Sequence, residues 1–82
     1  MSKLTSQDKR TVAKYISPYI HEVGESSMSL MVYQRLNMWL EGFSFAEIAA
    51  EEGVSTQTVN TSVKRVVEDV LAFAQEYQDA AS

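Results

Sequence analysis

The sequence predicts an all-α protein, a small helical bundle of four to five helices. Apolar residues recur at steps of three and four along most of the chain, Gly24, Gly42 and Gly53 fall where such runs stop, and hydroxyl residues stand where new runs begin. Eighty-two residues bound a single domain around one modest core. A core that small is marginal alone, which points to oligomerisation.

The first element is a helical arm within residues 1–24. Ser6 can cap a helix from Gln7, with Val12 and Ile16 inward and Ala13 beside them. Pro18 removes a helical hydrogen bond and crowds the preceding turn, so the helix is expected either to kink or to end near Ser17, the break being the favoured reading. Ser17 as cap and Pro18 at the first helical position then start a fresh turn through Tyr19, Ile20 and Val23. Gly24 with Ser26 and Ser27 marks a loop.

Residues 28–40 carry a helical period, with Met28, Val32, Leu36 and Trp39 on one side and Tyr33 and Leu40 beside them. Met31 and Met38 fall on the opposite side. A helix apolar nearly all round is normally covered on both sides, here by the first helix or by a second subunit.

The next stretch is a short helix, a tight turn and a second helix. Gly42 can end the preceding helix in the left-handed conformation, and Ser44 with Glu47 forms a capping box that starts a helix at Phe45. Ile48 and Ala49 face inward, and Gly53 stops the helix. Val54 is expected to plug the turn and Ser55 to cap the last helix, whose Val59, Val63 and Val66 face inward. No glycine or proline follows Ser55, and the apolar seam continues through Val70, Phe73 and Tyr77, flanked by Val67, Leu71 and Ala74. The part beyond the short core, residues 67–78, either folds back on the first helix or pairs with a second copy. The candidate dimer interface is Val70, Phe73, Ala74 and Tyr77, with Glu68, Asp69, Glu76 and Asp79 left in water.

With no cysteine, thiolate metal sites and thiol nucleophiles are excluded, and a single histidine, His21, excludes a multi-histidine metal centre. Glu51 and Glu52 are adjacent on a helix and point apart, and no motif joins a nucleophile to a base. The expectation is therefore no enzyme and no cofactor. No apolar run is long enough to span a bilayer and no signal sequence opens the chain, so no membrane partner and a cytoplasmic location are expected. The net charge of -4 is unevenly placed. Residues 1–20 hold four basic groups and one acidic, and residues 54–67 two basic groups alone, while the segments between and after them are acidic.

The ordered set Glu41-Gly42-Phe43-Ser44, Glu47-Ile48-Ala49, Gly53-Val54-Ser55, Thr58-Val59 and Val63-Lys64-Arg65-Val66 resembles the helix-turn-helix of LuxR-type regulators and of region four of bacterial sigma factors. The match covers about a third of the chain, and residues 28–40 sit where that family's preceding scaffold helix would be. The resemblance implies a transcriptional regulator of bacterial, phage or plasmid type. Its recognition helix, residues 55–66, would enter the major groove of double-stranded DNA, with the protein acting as a homodimer. The residues expected to meet DNA are Ser55, Thr56 and Thr58 around the helix N-terminus and Gln57, Asn60, Thr61 and Lys64 outward, with Arg65 at the margin. Arg10, Lys14 and His21 form a second outward basic face. The competing reading keeps the fold but turns it toward protein, with RNA polymerase or another regulator as partner and Met31 and Met38 in the contact.

Overall fold

The structure, a computed structural model, describes residues 4–24 and 28–81, with side chains described as far as residue 78. It contains four α-helices: α1 (Ser6–Val23), α2 (Leu30–Glu41), α3 (Phe45–Glu52) and α4 (Thr56–Ala81). Among the described residues there is no strand. The protein is all-α, as its periodicity predicts. It divides into two compact units, one of Met1–Ser27 with Val67–Ser82, the other of Met28–Val66.

In the first unit α1 starts one residue before the predicted position. Thr5 is the cap: its hydroxyl accepts from the Asp8 N–H at 3.1 Å, and the Asp8 carboxylate accepts from the Thr5 N–H at 3.0 Å. Ser6 as cap would have placed Lys9 at the third position, and an ammonium cannot accept that return bond. The break expected at Pro18 does not occur, because α1 is continuous through it. Tyr15 and Tyr19 straddle the proline on one buried face, and their contacts with α4 hold the helix together across it. The pairs Tyr15 with Tyr77 and Tyr19 with Phe73 show that the two helices run antiparallel, since the second number falls as the first rises. The Tyr15 hydroxyl also accepts from Gln78 Nε2 at 3.0 Å. Val12, Tyr15, Tyr19, Val67, Val70 and Ala74 are the buried apolar residues here. Ile16, expected inward, is half-buried, and Ala13 is exposed.

The second unit follows the predicted punctuation closely. The exception is the start of α2, expected at Met28: Ser29 is its cap, accepting from the Val32 N–H at 3.2 Å, so the helix begins at Leu30, and Gly42 ends it at φ 113°. The capping box of α3 is present in both directions, at 3.1 and 2.8 Å, and Gly53 ends the helix at φ 72°. Leu36, Trp39, Ile48, Ala49, Val59 and Val63 are buried, and the Trp39 ring stacks on Phe45 with centroids 6.4 Å apart. Val54 does not plug the turn as expected. It is 37% exposed, and its part in the turn is played by its backbone, whose N–H donates to the Ala49 carbonyl at 3.0 Å. Ser26 and Ser27, read as loop, lie outside the described residues, as does the Asp79 side chain. Among the described residues no helix is long and apolar enough to cross a membrane.

Candidate functional site

The residues singled out for ligand contact gather on the first turns of α4. Ser55 caps that helix: its Oγ accepts from the Thr58 N–H at 3.1 Å and lies 2.8 Å from the Thr58 hydroxyl. The N-terminus carries the positive end of the helix dipole and free backbone donors, a setting suited to an anion. Ser55, Thr56, Gln57, Thr58, Asn60, Thr61 and Arg65 are all exposed.

The seam of α4 is rotated from the expected one. Val59, Val63, Val67, Val70 and Ala74 are buried, whereas Val66 is half-buried. Extrapolating a seven-residue repeat along a straight helix drifts by about 20° per heptad, and Val67 takes the place assigned to Val66. Taking about 100° per residue, the side opposite this core is centred on Thr61 and Arg65, with Thr58 and Gln57 beside them. Arg65 therefore moves from the margin to the middle. Lys64, expected outward, is half-buried at the edge. Glu68 follows on the exposed side and bounds the site with negative charge.

Beneath this surface lies a feature not anticipated. Arg35, on α2, is only 5% exposed. Its Nε donates to both oxygens of Glu52, at 2.9 and 3.1 Å, and its Nη2 lies 2.7 Å from Oε1. The third nitrogen, Nη1, donates to the Ser62 hydroxyl at 2.8 Å. One guanidinium thus ties α2 to the last residue of α3 and to the second turn of α4. The hydrogen bond to Glu52 raises the Arg35 pKa above its ordinary value, burial works against the rise, and the Glu52 charge adds to it. A sequence signal existed: Arg35 sits between Val32, Leu36 and Trp39 on the apolar stripe, where a charge must find a partner.

The seam proposed for a second copy is largely occupied within the chain itself. Val70 and Ala74 are buried, Phe73 is half-buried against Tyr19, and Tyr77 remains 50% exposed. The fold-back alternative describes this seam, because aromatic side chains on α1 reach it. Met31 is 54% exposed and Met38 half-buried. Arg10, Lys14 and His21 are exposed on α1, with Lys14 Nζ 5.5 Å from the centre of the Tyr15 ring. Among the described residues no three His, Cys, Asp or Glu side chains group to hold a metal ion.

No protein-family model, curated protein or solved structure matches this chain.

Proposed function

We propose that this protein is a sequence-specific regulator that binds double-stranded DNA through a helix-turn-helix. In this reading α3 and the first half of α4 form the motif, and the start of α4 lies in the major groove. The observation that carries it is the three-residue turn at Gly53 between two capped helices, followed by a helix that exposes Gln57, Thr58, Thr61 and Arg65 opposite its core, with Asn60 exposed on one flank. Gln and Asn can pair with adenine edges, Thr can meet a thymine methyl, and Arg can meet guanine or phosphate. The serine and threonine hydroxyls at the helix start suit a backbone phosphate. The resemblance to LuxR-type and sigma region-four motifs rests on the same residues. A homodimer on a two-fold operator would place one such head on each half-site.

Selection of bound duplexes from a random pool tests the reading. One enriched site is expected, with affinity falling steeply as salt rises because phosphate contacts release counterions. No enrichment over random sequence at low salt would end it.

A second reading, in which RNA polymerase or another regulator is the partner, is favoured by the apolar side chains exposed on α2, Leu30 at 70% and Met31. Charge reversal at Lys64 and Arg65 separates the two. It abolishes the DNA complex under the first reading, whereas under the second Leu30→Ser with Met31→Ser is the damaging change.

A further inference from the structure

We propose that Arg35 and Ser62 are positioning residues that set the rotation of α4 and thereby aim Thr58, Thr61 and Arg65; the aiming role rests on the DNA-binding reading. In the second unit the early turns of α4 are held by Val59 and Val63, whose apolar contacts are non-directional. Ser62 supplies a directional hold. A guanidinium has donors only, so Ser62 Oγ must accept from Arg35 Nη1, and the hydroxyl's single hydrogen goes to the Val59 carbonyl at 3.2 Å. That leaves one arrangement of the hydroxyl.

Arg35 is itself fixed from the other side by three contacts to Glu52, whose side chain is 24% exposed. The planar fork divides its work: one edge grips the carboxylate that ends α3, and the remaining nitrogen grips α4. Ser62 follows Thr61 directly and lies four residues beyond Thr58 and three before Arg65. A small rotation there displaces all three side chains together. Buried ion pairs add little net stability compared with apolar packing, but they can fix one geometry among several. A guanidinium paired with a guanine edge, and a threonine methyl set against that of thymine, tolerate little misplacement.

The test uses the whole chain and the variants Ser62→Ala and Arg35→Lys. Lysine keeps the charge beside Glu52 but cannot grip both partners at once. Both variants are expected to keep wild-type helical content, to exchange amide hydrogens of residues 59–65 several-fold faster, and to lose about ten-fold in affinity for the selected duplex. Binding to random duplex should change less than about two-fold, since backbone contacts carry no sequence information. A purely structural role would lower thermal stability and weaken both duplexes alike, which would overturn the proposal. Unchanged exchange in α4 would overturn it as well. If the wild-type chain selects no duplex, the DNA-binding reading fails on its own, and exchange still decides whether Ser62 holds the helix.

Discussion

The ring of Tyr19 meets that of Phe73 edge-on, with centroids 5.6 Å apart and planes at 80°. Phe73 in turn lies 5.5 Å from Tyr77, which meets Tyr15 edge-on at 5.8 Å, so four aromatic rings zip α1 to the second half of α4. Phe73→Ala removes two ring contacts and part of the apolar area beneath them. Phe73 is only half-buried, so the loss of stability should be about 2–3 kcal/mol, below the range for a fully buried phenylalanine. Chemical denaturation followed by circular dichroism measures it.

Tyr19 also sets an alkaline limit. Burial raises its pKa above the ordinary value of 10.0, and the charge of Asp69 adds to the rise. The folded chain therefore holds this proton more tightly than the unfolded chain. The resulting stability is complete below the unfolded tyrosine pKa and is lost as pH climbs through the raised folded value. Thermal melting from pH 8 to 11 should show a fall above about pH 10. Tyr19→Phe should flatten it, and an equally steep fall in that variant would assign the effect to other groups.

Gly53 should be costly to replace for backbone reasons alone. Its φ of 72° lies in the left-handed region, while a Cβ placed there would meet nothing within 4 Å. Gly53→Ala should destabilise by about 1 kcal/mol, and Gly53→Asn by less, because asparagine tolerates that conformation better. Equal losses in the two variants would mean that the turn resists any side chain.

Most helix ends were legible because each depends on residues three or four apart. Gly42, Ser44 with Glu47, Gly53 and Ser55 all act as read. At Pro18 the favoured break gives way to a continuous helix, because the local rule is overridden by the packing of Tyr15 and Tyr19. The valine seam was misread by one residue at Val66, since small errors in period accumulate along a helix of 26 residues. The contacts of Arg35 are not legible in the sequence for another reason. Its partners lie 17 and 27 residues away, and no local pattern pairs them.

Base readout has its own signature. Gln57→Ala and Asn60→Ala should each cost roughly 1–3 kcal/mol on the selected duplex and little on random DNA. Arg65 is central on the exposed side: if it meets guanine, as the aiming role of Arg35 and Ser62 requires, Arg65→Ala should cost affinity on the selected duplex alone, whereas if it meets phosphate the change would weaken both duplexes and reduce the salt dependence by about one counterion. Titration at several salt concentrations separates the two patterns. Equal losses on both duplexes for Gln57→Ala would make that residue a backbone contact.

Assembly should depend on Tyr77 rather than on the whole seam. Val70 is fully buried in the chain's own core, so Val70→Glu places a carboxylate without a solvent path or a partner. It should abolish cooperative folding instead of releasing a folded monomer. Tyr77 is half exposed and loses only ring contacts with Tyr15 and Phe73, so Tyr77→Ser should keep helical content at a modest cost in stability. If a second copy docks on this edge, sedimentation will show the wild type dimeric at micromolar concentration and Tyr77→Ser monomeric. Operator affinity should fall with it, because the second half-site contact is no longer intramolecular. A wild-type chain already monomeric would remove the homodimer. An undisturbed dimer in Tyr77→Ser would move the interface to the exposed side of α2, where Leu30 and Met31 are the next apolar residues open to a partner.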